Sequence, residues 1–292
     1  MTKTVLALGM FDGMHIGHKK LIETAVRLAK KDGLEAAVFT FSDHPQKLFG
    51  AKVARLCSNE ERLAVMQKLG AARIEQAEFT RELASLSPEM FIDMLVEKLD
   101  PKTIVAGFNY TFGKGKSGNT DLLTKLALKK GMGAAVIPPV SFANKPVSST
   151  RIRELIEKGE MQSAQLMLGR PYTLDGTVVE GRRIGRTIGF PTANILPKEE
   201  RAIPQDGVYI SMAKVDGDMM PSVTNIGLNP TVGGKSRMIE THILDFDGDV
   251  YGKQIEVFFV KRLRGVKAFV SLDELKAQIA SDSKTARAYF GC

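Results

Sequence analysis

The stretch GMFDGMHIGH, residues Gly9 to His18, decides the fold of the first part of the chain. The apolar run before it, Thr4 to Leu8, is typical of a buried parallel strand, and apolar residues at helical spacing follow it until Gly33. A strand, a glycine turn and a helix N-terminus together predict an anion site. The free N–H groups of the first helical turn point at a bound phosphate there.

Gly13 and Gly17 let the backbone approach a ligand closely, and His15 and His18 lie three residues apart on one helical face. Two imidazoles can then contact the same phosphate; the alternative is a simple turn with histidines that cap a helix. At full length, GxFDGxHxGH resembles the signature of the nucleotidyltransferases, in which a phosphate attacks the α-phosphate of ATP. The nucleotide-binding residues expected in this stretch are Gly9, Phe11, Asp12, Gly13 and Gly17, and the catalytic ones are His15 and His18.

Length and composition bound the remaining possibilities. With 292 residues, 43% of them hydrophobic and 25% charged, the chain is typical of a soluble protein of two domains, expected at 1–168 and 169–292. No apolar run approaches the roughly 18 residues of a membrane span, and the start carries no signal region, so we expect a cytoplasmic protein without membrane contact. The net charge is +8, but the sequence contains no basic stripe interleaved with aromatic residues, so we expect no nucleic-acid partner. The sequence leaves the oligomeric state open.

Hydrophobic periodicity predicts two different architectures. In the first domain, predicted strands at 34–41, 73–79, 103–108 and 134–138 alternate with helices at 60–69, 88–99 and 120–130, which indicates a Rossmann-like, doubly wound α/β sheet. Two short helices, near 150–158 and 161–168, are expected to close it. Beyond Gly169, short strands at 172–180, 208–215, 219–226, 238–246 and 254–263, separated by turns including Gly233-Gly234, predict a small antiparallel β-barrel. A capping box at Ser271–Glu274 then opens a C-terminal helix.

Two further motifs of the first domain carry polar groups. Ser148–Arg153 combines hydroxyls, helix N–H groups and an arginine, which suits a second anion clamp for the β- and γ-phosphates; the alternative is a helix cap with solvated arginines. Gly107–Gly118 runs from a strand end into a glycine-lysine loop at the carboxyl edge of the sheet, where such folds bind ligands. The alternative there is a flexible basic loop.

In order and spacing, these motifs resemble the adenylyltransferase module of the bacterial bifunctional riboflavin kinase and FMN adenylyltransferase family, also called FAD synthetases. Many relatives carry aspartate and arginine in a GFDFRFG-like loop where this chain has Asn109 and Thr111. Asn109 can donate hydrogen bonds but cannot act as a base, and none is needed because the phosphate of FMN is already ionised near neutral pH. The resemblance implies that the triphosphate and nucleotide are held by His15, His18, Ser149, Thr150, Arg153 and Asn109.

The stretch GRTIGFPTAN, Gly185 to Asn194, dominates the second domain. Side chains two apart in an extended segment face the same way, so Thr192 and Asn194 can ligate one Mg²⁺, an ion that prefers oxygen donors. The alternative is a β-bulge with buried polar anchors. The turn from Gly181 to Arg186 resembles the phosphate cradle of the riboflavin kinase module, with Gly185 and Gly189 near the nucleotide.

Further motifs follow in the order that the family shows, Asn225–Gly227, Asn229–Gly234 and Glu240–Phe246. Glu240 is our choice of general base, because a carboxylate can accept the proton of an attacking primary alcohol. For Glu240 the alternative is a cross-strand salt bridge, and His242 is interpreted as a polar residue on the barrel face.

The resemblance spans essentially the whole chain and implies two sequential reactions. Riboflavin and ATP give FMN and ADP; FMN and ATP then give FAD and pyrophosphate, each with Mg²⁺. The partners expected are riboflavin, FMN, FAD and ATP, on two separate sites because different phosphorus atoms are attacked. Two alternatives stay open: an enzyme with one live activity, and a nucleotide- or RNA-binding regulator with vestigial catalytic groups.

Overall fold

A computed structural model gives the architecture, and it describes residues 2–181, 184–197, 200–228 and 237–292. The chain forms two compact units, the first ending at Ser149 and the second beginning at Thr150. Within the described residues, none of the helices combines the length and the apolar character needed to cross a bilayer.

The first unit is a five-stranded parallel sheet with helices on both faces, which confirms the doubly wound prediction. The strand order is β3-β2-β1-β4-β5. The strands are β1 (Thr4–Leu8), β2 (Glu35–Phe41), β3 (Arg73–Ala77), β4 (Pro101–Gly107) and β5 (Gly133–Ile137). The helices are α1 (Ile16–Asp32), α2 (Asn59–Lys68), α3 (Arg81–Ser85), α4 (Pro88–Leu99) and α5 (Thr120–Lys129), and a short hairpin of β6 (Ser141–Phe142) and β7 (Lys145–Pro146) follows.

Strand β1 shows why the sheet is covered on both sides. All five of its residues are buried. Leu6 and Leu8 join a cluster with residues of α4 and α5, whereas Val5 and Ala7 join one with residues of α1 and α2. Because successive side chains of a strand point to opposite faces, one apolar run supports two helical layers.

Helix α6 (Ser149–Glu157) starts at the last residue of the first unit, and the second unit continues through α7 (Met161–Leu168) into a closed antiparallel barrel, as the sequence predicted. The strand order around the barrel is β10-β11-β12-β9-β8-β13. The strands are β8 (Tyr172–Val179), β9 (Ala193–Pro197), β10 (Gly207–Val215), β11 (Asp218–Leu228), β12 (Arg237–Ile243) and β13 (Gln254–Arg264). The remaining helices are α8 (Ile184–Thr187) and α9 (Leu272–Phe290); the turn expected at Gly233-Gly234 lies outside the described residues.

The helices α6 and α7 pack with the barrel. Helix α7 contacts β8 and β13. The carbonyl of Ile156 in α6 accepts a hydrogen bond of 3.2 Å from the N–H of Gln205. By packing, the two units divide after Ser149, and the boundary between the functional domains after residue 168 stays a prediction.

The barrel buries a chain of hydroxyl groups. Ser211 Oγ lies 2.8 Å from Ser222 Oγ and 2.7 Å from Thr224 Oγ1, which lies 2.9 Å from Thr241 Oγ1. All four side chains are fully buried. Because each hydroxyl both donates and accepts, the chain satisfies its own polar groups without water.

Candidate active sites

The first candidate site lies where the order of the parallel strands reverses. Strand β1 pairs with β2 on one side and with β4 on the other, and Leu8 pairs with Phe39 and with Ala106 at the carboxyl edge. Ligands of open α/β sheets bind in the crevice at such a switch point. Gly9–His18 follows β1 and Asn109 follows β4, so both segments begin at the same edge.

The backbone of Gly9–His18 forms a tight corner. Asp12–Met14 is one 3-10 turn in which Gly13 has a φ of 79°, a left-handed value that favours glycine. The ring of Phe11 is fully buried, and a Cβ on Gly9 would lie only 2.9 Å from it. The carboxylate of Asp12 accepts a 3.0 Å hydrogen bond from the N–H of Leu56. Gly9, Phe11 and Asp12 thus shape the corner from its buried side.

The two histidines of the corner stack on each other. Their ring centroids lie 3.6 Å apart at an interplanar angle of 18°. His15 Nδ1 accepts a 3.2 Å hydrogen bond from the N–H of His18 and so caps α1. A Cβ on Gly17 would lie 3.2 Å from the ring of His15, so this glycine leaves room for the stack.

Burial determines the charge of these imidazoles. It lowers the pKa of His15 from 6.5 to about 4. The pKa of His18 is also lowered well below 6.5, first by burial and then by electrostatic repulsion from the neighbouring His15, when that ring is protonated, and from Arg62. Both rings are therefore neutral near pH 7. Among the described residues, His18 Nδ1 is buried and has no hydrogen-bond partner.

The other residues assigned to this nucleotide site lie on two segments. Asn109 is exposed beyond β4, and its loop is anchored by paired backbone hydrogen bonds between Phe112 and Gly118, 2.9 and 3.1 Å long. Ser149, the last residue of the first unit, donates a 2.9 Å hydrogen bond from its Oγ to the carbonyl of Asp12 in the corner. Thr150 and Arg153 follow in α6, within the second compact unit, and their contact with a triphosphate stays a prediction.

An aromatic cluster near the carboxyl edge was not predicted from the sequence. The ring of Phe79 lies 5.0 Å from that of Phe41 and 6.5 Å from that of Phe49. Phe49 is 72% exposed although it ends a helical turn, Pro45–Phe49. Phe41 ends a strand and Phe79 follows one, which is the signal in the sequence that could have indicated a common edge. We call Phe41, Phe49 and Phe79 the aromatic wall.

The second candidate site lies on the barrel, where three polar residues stand side by side. Glu240 of β12 pairs with Asn194 of β9 and with Asn225 of β11. Residues directly opposite each other on antiparallel strands project to the same face. The register therefore brings Glu240 and Asn194, which the sequence assigned to one kinase site, together and adds Asn225.

Two glycines approach this row closely. A Cβ on Gly181 would lie 2.2 Å from Asn194 Nδ2, and one on Gly185 would lie 2.3 Å from the carbonyl of Phe190 and 3.4 Å from Thr192 Oγ1. No larger residue fits at either position without moving its neighbour. Gly189 has a φ of 87° and lies in the turn after α8. Of the expected motifs, Arg182, Arg183 and Asn229–Gly234 lie outside the described residues.

Two cavities meet at Thr192 and Asn194. One, of about 400 Å³, extends to Asp247, Gly248 and Tyr251. The other, of about 350 Å³, is lined by Glu240 and Asn225 and by apolar side chains that include those of Met238, Leu275 and Ile279. Thr192 and Asn194 thus stand at the junction of a more polar and a more apolar compartment.

His242 lines the second cavity. Its Nδ1 lies 2.8 Å from the carbonyl of Pro191 and its ring meets that of Phe190 edge-on, with centroids 5.4 Å apart. Burial lowers the pKa of His242 below 6.5, so the ring is neutral near pH 7 and donates from Nδ1 to that carbonyl. His242 thus holds the backbone of Pro191 in place, next to Thr192. This contact is consistent with the interpretation of His242 as a polar residue on the barrel face.

The oxygen donors of the kinase site suit a hard cation. Asn194 is only 4% exposed, and its Oδ1 has no hydrogen-bond partner in the part of the chain that the structure describes. Thr192 and Asn194 therefore fit an ion that takes a few protein oxygens and completes its shell with phosphates and water.

Taken together, the two units have the architecture of a two-domain transferase: a doubly wound nucleotidyltransferase-like sheet with a histidine corner at its switch point, and a closed barrel with a row of polar residues beside two cavities. Comparisons with known proteins agree. A family model described as FAD synthetase matches residues 1–151, and one described as riboflavin kinase matches residues 168–290.

Curated relatives match over nearly the full chain. The bifunctional riboflavin kinase/FMN adenylyltransferase of Bacillus subtilis is 36% identical and covers 99% of this chain and 93% of its own length. That of Escherichia coli K12 is 37% identical and covers 98% and 93%. A crystal structure described as a macrolide-efflux protein from Streptococcus pneumoniae has a TM-score of 0.90 at 32% identity, covering 98% of this chain and 94% of that one. The chain belongs to the family of bifunctional riboflavin kinases/FMN adenylyltransferases, as its motifs predicted.

Proposed function

We propose that this chain carries the two activities of its family at two separate sites. Adenylyl transfer to FMN takes place at the corner Gly9–His18, and phosphoryl transfer to riboflavin takes place at Thr192, Asn194 and Glu240. The observation that supports the proposal is that two polar clusters lie on two different folds, the histidine corner at the switch point of the parallel sheet and the row of Glu240 and Asn194 on the barrel.

At the first site, an oxygen of the FMN phosphate attacks the α-phosphorus of ATP. The bond between that phosphorus and the oxygen bridging to the β-phosphate breaks, and pyrophosphate leaves. His15 and His18, both neutral, donate N–H groups to the phosphate oxygens, and the first N–H groups of α1 add the positive end of the helix. Catalysis then consists of positioning and stabilisation of charge. Ser149, Thr150 and Arg153 are the predicted partners of the leaving pyrophosphate.

The aromatic wall is our candidate for the surface that receives the flavin ring. A planar, fused ring system stacks on exposed aromatic faces, and Phe49 offers such a face next to the carboxyl edge. The wall begins at the end of β2, the neighbour of β1, so a flavin resting on it has its phosphate on the side of the corner.

At the second site, the 5′-hydroxyl of riboflavin attacks the γ-phosphorus of ATP. The bond to the oxygen bridging to the β-phosphate breaks, ADP leaves, and Glu240 accepts the hydroxyl proton. We assign the flavin to the compartment that holds Glu240, whose lining includes Met238, Leu275 and Ile279, and the nucleotide to the other compartment. The γ-phosphate then lies between them, beside Thr192 and Asn194.

Mg²⁺ is part of this proposal at both sites. At the kinase site, Thr192 Oγ1 and Asn194 Oδ1 would hold the ion, which neutralises charge on the β- and γ-phosphates when bound. Glycine at position 181 leaves room for the Asn194 amide, since a Cβ there would lie 2.2 Å from Asn194 Nδ2.

The test is a pair of reciprocal variants assayed for both reactions. We expect Glu240→Gln to lower FMN formation from riboflavin by roughly 10²- to 10⁴-fold and to leave FAD formation from supplied FMN unchanged. His15→Ala combined with His18→Ala should do the reverse. A folded variant that lost both activities would show that the two reactions share groups, and the two-site proposal would be abandoned.

A further inference from the structure

A buried arginine, Arg62 of α2, lies behind the histidine corner. It is only 3% exposed. Its guanidinium donates to the carbonyl of Met10 at 2.9 Å, to the carbonyl of Phe41 at 2.6 Å and to Asn59 Oδ1 at 2.6 Å. A fourth contact, to Thr40 Oγ1, is 3.4 Å long. One rigid, planar fork thus engages three separate segments of the chain.

The carbonyl acceptors of Arg62 lie just beyond the point where β1 and β2 stop pairing. The pairing of β1 with β2 ends at Leu8 and Phe39, and one further backbone bond joins the N–H of Gly9 to the carbonyl of Phe39 at 3.3 Å. Beyond that point the segments that follow β1 and β2 no longer pair with each other. Arg62 bridges the ends of β1 and β2 at this point, because Met10 belongs to the corner Gly9–His18 and Phe41 belongs to the aromatic wall.

We propose that Arg62 is a positioning residue for adenylyl transfer, which fixes the distance between the corner that holds ATP and the wall that holds the flavin. The inference rests on the proposed location of that reaction. In-line attack requires the FMN phosphate and the α-phosphorus of ATP to approach along one axis, and a misplacement of about 1 Å costs roughly 100-fold in rate. A guanidinium with two carbonyl acceptors holds such a distance better than a side chain with one donor.

Thr40 supplies a second tether to the same point. It is fully buried, and its hydroxyl donates a 3.2 Å hydrogen bond to the carbonyl of Met10. Thr40 is also the neighbour of Phe41 on β2, so its contact again joins the end of β2 to the corner. The effects of changing Arg62 and Thr40 should therefore be coupled, since both act on the Met10 carbonyl.

The experiment uses the full-length protein and compares Arg62→Lys with Arg62→Met. Lysine retains the charge but not the fork, and methionine retains neither. We expect kcat for FAD formation from FMN to fall roughly 100-fold in both. Dissociation constants for ATP and FMN, measured separately by calorimetry, should stay within about threefold, and riboflavin phosphorylation by the same molecules should be unchanged. A merely structural role would instead weaken both ligands along with kcat.

Matched variants keep the result interpretable. Arg201→Lys makes the same change at a buried arginine of the barrel, which donates to the carbonyl of Thr173 at 2.6 Å, and it should leave FAD formation unaffected. Thr40→Val replaces the hydroxyl group with a methyl group and should also lower kcat for FAD formation. It tests the inference if the Arg62 variants do not fold.

The possible results distinguish failure of the inference about Arg62 from failure of the proposed adenylylation site. A normal kcat in folded Arg62→Lys and in Thr40→Val, with loss of FAD formation in the variant lacking His15 and His18, overturns this inference alone. Retention of FAD formation when both histidines are replaced overturns the proposed site itself.

Discussion

Acidification should selectively destabilise the first unit through His15. Burial lowers the pKa of this imidazole to about 4, whereas its ordinary value, which it regains in the unfolded chain, is 6.5. Between these two values the unfolded state binds a proton that the folded state excludes, so stability rises with pH across the window from 4 to 6.5.

The magnitude follows from the size of the difference. A shift of about 2.5 pKa units corresponds to roughly 3 kcal/mol that is lost by pH 4 and fully regained above pH 6.5. At pH 5 the same linkage gives a loss of about 2 kcal/mol relative to pH 7.5. His15 is only 6% exposed, so solvent screens little of this effect.

His15→Asn provides the comparison, because asparagine can cap α1 in place of the histidine but does not titrate. Hydrogen exchange of the α1 amides at pH 5 and 7.5, corrected for intrinsic rates, reports the free energy of opening of this unit. The difference between the two pH values should be about 2 kcal/mol smaller in His15→Asn than in the wild type.

A second cap substitution controls for effects of capping. Ser87 caps α4 by accepting a 3.1 Å hydrogen bond from the N–H of Met90, and Ser87→Asn should keep the pH dependence of the wild type. Equal pH dependence in the wild type and His15→Asn would refute the reasoning, since it would mean that the imidazole titrates normally despite its burial.

Three further changes probe the sites. Gly181→Ala should lower riboflavin phosphorylation at least tenfold while leaving FMN adenylylation unchanged in a product assay, because its Cβ would lie 2.2 Å from Asn194 Nδ2. Asn194→Ala should raise the Mg²⁺ concentration for half-maximal kinase rate by roughly tenfold or more, since it removes a proposed ligand; an unchanged Mg²⁺ titration would count against that ligand. Phe49→Ala should raise the KM for FMN in adenylylation roughly fivefold, the equivalent of about 1 kcal/mol of stacking. Because Phe49 is 72% exposed, the same change should shift the free energy of unfolding by less than about 0.5 kcal/mol. An unchanged KM would show that the aromatic wall is not part of the flavin site.

The sequence predicted the elements that local patterns encode. The four apolar residues Val5 to Leu8 of β1 and the glycine corner after them indicate a parallel strand entering a helix, and the alternation that follows leaves few topologies. The pairing of Glu240 with Asn194 could not be predicted in this way, because register depends on contacts between distant strands.

The aromatic wall and the hydroxyl chain show two other limits. Phe41 and Phe79 are brought together only by the pairing of β2 with β3. Alternation along a strand predicts polar residues on the solvent side, yet Ser211 is buried in β10. The reason is that Val208 and Ile210 on the opposite face are covered by Ala286 of α9, so both faces of this strand are buried.

The placement of α6 and α7 illustrates a third limit. Their pattern is the same whether they cover the sheet or the barrel, and it is the contacts of α7 with β8 and β13 and the hydrogen bond from Gln205 to Ile156 of α6 that place them with the barrel. Alternation of strands and helices therefore predicted the type of these two elements but not the layer against which they pack.

The most direct test of the two-site account is a mixing experiment with riboflavin as the only flavin supplied. Glu240→Gln alone should form no FAD, and the variant with both His15 and His18 replaced by alanine should stop at FMN. Mixed with ATP and Mg²⁺, the two proteins should form FAD, because FMN released by one is adenylylated by the other. If each variant is folded and the mixture, supplied with riboflavin or with FMN, forms no FAD, the two reactions do not occupy separate sites and the account is contradicted.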